Sequence, residues 1–270
     1  MPFPVASSPD DPRLADFVAL NDPTRRREIE RRGGWFVVEG ALALDQLLRV
    51  GGWQVRRVAL LPRAAERLGP RLADLADRVV VAPEAVLRAV VGFDLHRGVL
   101  ASVERVPPRS VAEVVVADAP QLLVALEGVN DHENLGAVYR NAAGFGSAAV
   151  VVDPATADPF YRRSVRVSLG HVLTVPTATM ASAPAGIEEL RSNGATVVAL
   201  TPAGDADLRT LDRGTLGTGP LVVLAGAEGP GLSRAALDAA DVRAAIAMPA
   251  DVDSLNVATA VALALYQLGG

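Results

Sequence analysis

The stretch from Leu221 to Leu268 constrains the fold of this chain more than any other part of the sequence. It begins with the apolar run LVVLA, typical of a buried strand, and continues into the glycine-rich loop GAEGPG, which contains the carboxylate Glu228. A second strand then leads to a Ser-Leu-Asn turn, residues 254–256, that opens an almost wholly apolar helix. Two strand-to-helix loops so close together are typical of a ligand site at the carboxyl edge of a parallel sheet.

The second half of the chain alternates strands and helices. Its predicted strands are continuous runs of Val, Leu and Ala, which suit a parallel sheet buried on both faces, and the alternation indicates an open α/β sheet. A predicted helix at Leu135–Ala143 has Leu135, Val138 and Ala142 on one apolar stripe. The predicted strands are Leu122–Leu126, Ala148–Val152, Val172–Val175, Thr196–Leu200, Leu221–Ala225 and Val242–Met248.

The first part of the chain has the pattern of a small α/β domain. Pro107 and Pro108 interrupt that pattern, so we predict a first domain at 1–105, a linker at 106–119 and a second domain at 120–270. The predicted elements of the first domain are strands at Trp35–Val38, Val55–Leu61, Val79–Val81 and Gly98–Val103, and helices at Thr24–Arg32, Ala41–Arg49, Ala64–Ala76 and after Pro83.

Composition excludes several classes of protein. The 270 residues include no cysteine and three histidines, which rules out disulfides and thiolate metal sites and argues against a histidine-rich metal site. The start of the chain, MPFPVASSPDDPR, lacks the basic and apolar regions of a signal peptide. The apolar run Val257–Leu268 is too short to span a membrane. We therefore expect a soluble, cytoplasmic protein that uses no metal.

The charge distribution leaves two interpretations open. A formal net charge of -5 argues mildly against nucleic-acid binding, but the placement of charge matters more than its total. Each of two arginine clusters is either the solvated face of a helix or a patch that contacts phosphates. The clusters consist of Arg25, Arg26, Arg27, Arg31 and Arg32, and of Arg162, Arg163 and Arg166.

The candidate site residues each have a structural alternative. The loop around Glu228 has neither the lysine of a P-loop nor the GxGxxG spacing, so its carboxylate suits a hydroxyl, an amine or an arginine; alternatively it caps the helix after Ser233 or faces solvent. Ser254 and Asn256 are common helix caps. The helix that follows them has almost no polar face, so we expect it to be buried, with its amino end beside the pocket.

The segment NLGAVYR contributes two further candidates. Its asparagine, Asn134, also suits a helix N-cap, and its arginine, Arg140, is expected opposite the apolar stripe, where the ordinary alternative is a solvent-facing side chain.

Taken together, three segments resemble the motifs of the SpoU (TrmH-like) RNA ribose methyltransferases of the SPOUT superfamily. The segment RRSVRVSLGHVLTVP between the first two motifs is also similar to the family, as are FVVEG and HRGVLA in the first domain. The three motifs are Asn134-Leu135-Gly136 with Arg140, then Gly226-Ala227-Glu228 with Gly231-Leu232, then Ile246 and Met248 followed by Ser254-Leu255-Asn256-Val257.

The resemblance implies a fold and an activity. The fold is a SPOUT-type open parallel α/β sheet with a carboxyl-terminal trefoil knot, preceded by a small α/β domain, similar to ribosomal protein L30e, that binds the RNA substrate. The activity is transfer of the methyl group of S-adenosylmethionine to a ribose 2′-hydroxyl by a homodimer. We expect 23S rRNA as the substrate, otherwise tRNA. The alternatives are a non-catalytic RNA-binding protein of the same fold and a nucleotide-binding α/β enzyme of unrelated chemistry.

The resemblance also assigns residues. A guanidinium is effectively always protonated, so we expect Arg140 to hold a phosphate and stabilise a developing alkoxide rather than accept a proton. Glu228 and Asn134 would orient it. The expected catalytic set is Arg140, Asn134, Glu228, Ser254 and Asn256, and the expected cofactor-binding set is Gly226, Ile246, Leu255, Met248, Leu200 and Thr201.

Overall fold

The structure is a computed structural model, which describes residues 3–22, 24, 34–95, 98–249 and 251–269. The first predicted arginine cluster, nearly all of the predicted helix Thr24–Arg32, and His96 lie outside these residues. The chain divides into two compact units, of which unit 1 comprises Met1–Val106 and Phe160–Leu173, and unit 2 comprises Pro107–Pro159 and Thr174–Gly270.

Within the described residues, strands and helices alternate along most of the chain. The strands are β1 (Trp35–Glu39), β2 (Val55–Leu60), β3 (Val79–Val81), β4 (Val99–Glu104), β5 (Arg109–Ser110), β6 (Leu122–Glu127), β7 (Ala149–Val152), β8 (Thr177–Thr179), β9 (Thr196–Leu200), β10 (Ala206–Asp207), β11 (Leu221–Gly226) and β12 (Val242–Ala245). The α-helices are α1 (Ala41–Val50), α2 (Pro62–Leu68), α3 (Glu84–Val91), α4 (Val111–Val114), α5 (His132–Gly144), α6 (Arg162–Val167), α7 (Ala183–Ser192), α8 (Arg234–Ala239) and α9 (Val257–Leu268). Short 3-10 helices occupy Pro12–Phe17, Gly69–Arg78, His171–Leu173 and Leu208–Thr210.

Unit 1 is built on a four-stranded sheet in the order β1-β4-β2-β3. Strand β4 runs antiparallel to both neighbours, and β3 runs parallel to β2. All five residues of β1 are buried, which places apolar side chains on both faces of the sheet. The core on one face includes Phe17, Trp35, Leu87 and Leu100.

Unit 2 contains the predicted parallel sheet. Its eight strands follow the order β10-β12-β9-β11-β6-β7-β8-β5, and every pairing is parallel. The central strands β6 and β11 are aligned over their whole length, from Leu221 opposite Leu122 to Gly226 opposite Glu127. The chain continues from β6 to β7 and β8 on one side, whereas β11, β9 and β12 lie on the other. The sheet therefore has a topological switch beside β6, where a ligand site is expected at the carboxyl ends of the strands.

The predicted strand at Val172–Val175 is wrong. Residues His171–Leu173 form a 3-10 helix, and the strand of this region is Thr177–Thr179. Gly170 adopts a φ of +85°, a left-handed conformation that suits glycine. The backbone N–H groups of His171 and Leu173 then donate to the carbonyls of Ser168 and Gly170, so these backbone groups are satisfied locally rather than by a neighbouring strand.

The predicted linker and domain limits also differ from the structure. Arg109–Ser110 pairs with β8, and a capping box formed by Ser110 and Glu113 begins α4. Because Val111 and Val114 are buried, this part of the predicted linker belongs to unit 2. Conversely, Phe160–Leu173, which we predicted within the second domain, belongs to unit 1.

Two helices depart from the predicted pattern. The predicted helix at Ala64–Ala76 is divided into α2 and a 3-10 helix at Gly69, which precedes a proline that lacks a backbone donor. The last helix is not buried on every side, since Leu263 is 43% and Tyr266 75% exposed. The Asn256 cap is exposed, whereas Val257 and Ala258 in the first turn are buried. The expectation of a helix buried on all sides is therefore wrong, whereas its amino end does lie beside the cleft, as predicted. No helix within the described residues is long and apolar enough to cross a membrane.

Candidate active site

A cleft of about 720 Å³ opens at the carboxyl edge of the unit 2 sheet. Its walls come from the segments that follow β9, β11 and β12, and from the first turn of α9. All six residues predicted to contact the cofactor line it, together with three of the five predicted catalytic residues. These nine residues are Leu200, Thr201, Gly226, Ile246, Met248, Leu255, Glu228, Ser254 and Asn256.

The glycine-rich loop folds back tightly on its own strand. The Gly231 N–H donates to the Ala227 carbonyl over 3.0 Å. A Cβ atom placed on Gly226 would lie 2.4 Å from the Gly231 carbonyl carbon, which is too close for any side chain. The far end of the loop is held by Glu127, whose carboxylate accepts from the Ser233 N–H over 2.8 Å. Glycine at 226 is therefore required by the packing of backbone against backbone.

Asn256 joins the first and second predicted motifs to the third. Its Oδ1 caps α9 by accepting from the Ala258 and Thr259 N–H groups. Its Nδ2 donates to Asn134 Oδ1 over 2.6 Å and to Glu228 Oε1 over 3.0 Å. The capping interpretation of Asn256 is confirmed, and the same carboxamide also brings two other predicted site residues together.

Of the structural alternatives given for Glu228 and Asn134, only the solvent exposure of Glu228 is observed, and neither side chain caps a helix. Glu228 is exposed but does not cap α8, because Ser233 caps that helix itself by accepting from the Ala236 N–H. Asn134 is not the N-cap of α5, since Asp131 accepts from the N–H groups of Glu133 and Asn134. The two side chains share Asn256 as a donor, which forms a polar cluster at the mouth of the cleft.

Ser254 does not cap the last helix, which begins two residues later at the Asn256 cap. It is exposed and lines the cleft. Within the part of the chain that the structure describes, its hydroxyl makes no hydrogen bond.

Arg140 lies on the exposed face of α5, opposite the buried side chains of Leu135, Val138 and Ala142, as predicted. It follows Asn134 by six residues, which corresponds to about 9 Å along the helix. It does not line the cleft, and among the described residues its guanidinium has no ion-pair or hydrogen-bond partner. The structure therefore brings Asn134, Glu228 and Asn256 together but does not bring Arg140 to them.

Tyr139, next to Arg140, anchors α5 to the sheet. Its ring is fully buried, and its hydroxyl shares a hydrogen bond of 2.6 Å with Thr177 Oγ1 on β8. Burial raises the pKa of this hydroxyl well above its ordinary value, against the opposing effect of the Thr177 hydrogen bond. The tyrosine therefore stays neutral and acts as a fixed support on the buried side of the helix.

The second arginine cluster is engaged in unit 1. Arg162 Nη1 lies 2.5 Å from the carboxylate of the buried Glu39, and its guanidinium carbon lies 4.2 Å from the centre of the Phe93 ring. Arg166 lies 3.6 Å from the same carboxylate. Arg162 and Arg166 therefore neutralise the buried carboxylate of Glu39. The structure favours neither a solvated face nor a phosphate patch for these two residues.

Residues at the strand ends were missed by the sequence reasoning. Glu127 ends β6 and fixes the glycine-rich loop, and Asp153 follows β7 and accepts from the Gly128 and Thr156 N–H groups. Their position directly after predicted strands was the available signal, since carboxyl ends of parallel strands meet at one edge.

Comparisons with known proteins give a consistent result. Residues 121–266 match the SpoU rRNA methylase family. An uncharacterized tRNA/rRNA methyltransferase of Mycobacterium bovis is 44% identical over 266 residues, which cover 96% of this chain and 89% of the relative. A 23S rRNA (guanosine-2′-O-)-methyltransferase of Ralstonia nicotianae is 29% identical, over 84% of this chain and 88% of its own. The crystal structure of an AdoMet-bound rRNA methyltransferase from Sinorhizobium meliloti superimposes with a TM-score of 0.80 at 28% identity, over 98% of this chain and 96% of that one.

Proposed function

Because the chain belongs to the SpoU rRNA methylase family, we propose that it transfers the methyl group of S-adenosylmethionine to a ribose 2′-hydroxyl in RNA. One observation carries the proposal: the second and third motifs line a single cleft at the carboxyl edge of the sheet, and Asn256 joins Asn134 of the first motif to them. The similarity to an AdoMet-bound rRNA methyltransferase and to a 2′-O-methyltransferase supports the same activity.

The residues of the cleft fit S-adenosylmethionine. Its volume of about 720 Å³ lies in the range of small-molecule and cofactor sites. Apolar side chains of Leu200, Ile246 and Leu255 form part of the wall, and the close backbone packing at Gly226 leaves main-chain groups rather than a side chain at the end of β11. This combination suits a flat heterocycle with polar edges. The cofactor supplies an electrophilic methyl group on a sulfonium, a chemistry that requires alignment of the nucleophile.

The polar cluster would act on the ribose side of the reaction. Asn256 links Asn134 and Glu228 at the mouth of the cleft, where these groups can accept from and donate to ribose hydroxyls. We assign Ser254, also at the rim, a role in shaping the same region. Orientation of the hydroxyl would supply a large part of the acceleration, while the neutral hydroxyl must still lose its proton as the methyl group is transferred.

Arg140 would contact the RNA rather than the cofactor. Its exposed guanidinium, which has no partner among the described residues, can pair with two phosphate oxygens at once and stabilise a developing alkoxide. Because arginine remains protonated, the proton of the hydroxyl would pass to water or to a phosphate oxygen.

For the substrate we propose 23S rRNA, with tRNA as the second candidate. The relative of Ralstonia nicotianae supports rRNA, whereas the name of the more similar relative from Mycobacterium bovis leaves tRNA and rRNA open. We assign RNA docking to unit 1, whose small mixed sheet is compatible with an L30e-like substrate domain.

We also propose that the carboxyl-terminal segment is threaded as a trefoil knot. The loops after β9 and β11 each pass very close to later backbone. A Cβ atom on Gly204 would lie 2.5 Å from the Ala244 carbonyl carbon, and one on Gly226 would meet Gly231. The contact at Gly226 is a local turn, whereas the contact at Gly204 joins parts of the backbone that are far apart in the sequence, which is compatible with a chain that passes through its own loops.

We propose a homodimer formed through the last helix. Phe145, Leu263 and Tyr266 are 39%, 43% and 75% exposed, and the rings of Phe145 and Tyr266 lie 6.3 Å apart. Covering such an apolar patch is a usual role of a second subunit. Light scattering at micromolar concentrations should give twice the mass of the chain; a monomer mass throughout would contradict this.

Two experiments test the proposed function. Titration calorimetry with S-adenosylmethionine, in buffer containing a chelator and no RNA, should show binding. The absence of heat and of a thermal shift at millimolar cofactor would contradict the cofactor assignment and would favour a non-catalytic RNA-binding protein. Mapping the 2′-O-methyl groups lost from rRNA and tRNA in a deletion strain should then identify the target.

A further inference from the structure

One side chain outside the predicted motifs ties two of them together. Asn141 on α5 donates from Nδ2 to the carbonyl oxygen of Ala258 over 2.8 Å. The acceptor lies in the first turn of α9, two residues after Asn256. Asn141 follows Asn134 by seven residues, about two turns, so the two asparagines share one face of α5.

The bond acts on the same turn that orients Asn256. The Ala258 N–H donates to the Asn256 cap, and the Ala258 carbonyl accepts from Asn141, so one peptide residue is held from both sides. With its Oδ1 committed to the cap, the Asn256 carboxamide has one orientation, in which Nδ2 faces Asn134 and Glu228.

We propose that Asn141 is a positioning residue of the methyl-transfer site. Its hydrogen bond holds the start of α9 against α5 and thereby keeps the Asn256 amide between Asn134 and Glu228. This inference rests on the proposed function of that site. Asn141 is not among the described residues that line the cleft, so its effect passes through the turn it holds.

Tyr139 provides a matched control on the same helix. Its hydroxyl also ties α5 to another element, but the partner is Thr177 on β8, not α9. Loss of either bond removes one tertiary hydrogen bond of α5. Only loss of the Asn141 bond frees the turn that carries Asn256.

The test compares Asn141→Asp, which keeps the shape but replaces the amide donor, with Asn141→Ala and with Tyr139→Phe. Solvent exchange of the Asn256 side-chain amide protons is measured by NMR in the cofactor-free protein, with the signal identified by its loss in Asn256→Asp. In both Asn141 variants we expect these amide protons to exchange at least about fivefold faster than in wild type, the factor typical of one lost hydrogen bond. In Tyr139→Phe we expect the wild-type exchange rate. Because the turn that Asn141 holds also carries Leu255, which lines the cofactor cleft, cofactor affinity measured by calorimetry should fall by about the same factor in the Asn141 variants alone.

Two results would overturn the proposal. One is an unchanged exchange rate of the Asn256 amide protons in both Asn141 variants, and the other is an equal increase of that rate in Tyr139→Phe. If the wild-type chain itself binds no S-adenosylmethionine, the proposed function fails, while the amide exchange still decides whether Asn141 positions Asn256. The two failures are therefore distinguishable.

Discussion

Arginine serves opposite purposes in the two units of this molecule. In unit 1, the Arg162 side chain is only 15% exposed and forms an ion pair with Glu39. Its guanidinium also packs on the Phe93 ring. In unit 2, Arg140 is exposed, and no described residue pairs with it. Arg162, which belongs to a dense basic run, therefore has a structural role. Arg140, the isolated arginine of the NxGxxxR spacing, is available to a ligand.

The difference shows what a run of like charges can and cannot indicate. A buried carboxylate requires a cation beside it, and Glu39 receives two, from Arg162 and Arg166. Two arginines of one run therefore share a single acid. Phosphate contact instead needs a guanidinium that the fold leaves unpaired, and only the tertiary structure reveals which arginine that is.

Replacement of Arg140 should have the largest effect. Arg140→Ala should lower methyl transfer about a hundredfold to a thousandfold, the usual loss for one group that stabilises developing charge, while leaving cofactor affinity within about twofold. Lysine should restore little activity because it lacks the planar fork. Single-turnover transfer and calorimetry measure the two effects. Arg191→Ala, which removes an exposed arginine paired with Asp241, is the control and should keep full activity. Near-normal turnover in Arg140→Ala would show that Arg140 is only a surface residue.

Replacement of Arg162 should affect stability instead. Arg162→Ala leaves the buried Glu39 with the more distant Arg166 alone and should lower the free energy of unfolding by about 2 to 3 kcal/mol. Urea unfolding measures this, with Arg88→Ala, whose ion pair with Asp94 is exposed, as a nearly neutral control. If Arg162→Ala kept its stability but lost affinity for RNA, Arg162 would be a phosphate contact, and the contrast with Arg140 would not hold.

The glycine-rich loop should tolerate no side chain at its base. Gly226→Ala places a methyl group against the Gly231 backbone and should displace the loop, which would weaken cofactor binding about tenfold or more. Gly144→Ala is the matched control, because a Cβ atom there meets nothing within 4 Å. Calorimetry compares the two variants, and equal affinities would remove the loop from the cofactor site.

The smallest effect is expected from the buried support of α5. Tyr139→Phe removes the hydrogen bond to Thr177 and should cost about 1 kcal/mol of stability with cofactor affinity unchanged. Thermal unfolding with and without cofactor measures both. A large loss of affinity would mean that the buried side of α5, and not only its exposed side, controls the site.

Local pattern was sufficient for much of unit 2. The strand Thr196–Leu200 begins and ends where it was predicted, because a continuous apolar run bounded by polar and glycine residues has few other solutions. The position of the cleft was also predictable, since carboxyl ends of parallel strands meet at one edge, whereas its individual residues were assigned from the resemblance to the SpoU motifs.

Long-range partnerships were not predictable from local pattern. Asn256 suits a helix cap by its position alone, and nothing near it in the sequence indicates a bond to Asn134, which lies 122 residues away. The segment Phe160–Leu173 lies between strands of unit 2 but packs with unit 1, because Gly170 meets the backbone of Ala43. A glycine at such a contact carries no signal of its partner.

The most direct test is label transfer from methyl-labelled S-adenosylmethionine to total RNA of a strain that lacks this protein. The RNA is then digested to nucleosides and separated by mass. We predict a single labelled nucleoside that carries the methyl group on its ribose 2′-oxygen, with transfer greatly reduced in Arg140→Ala. Label on a base, or no label in any RNA fraction, would contradict the account.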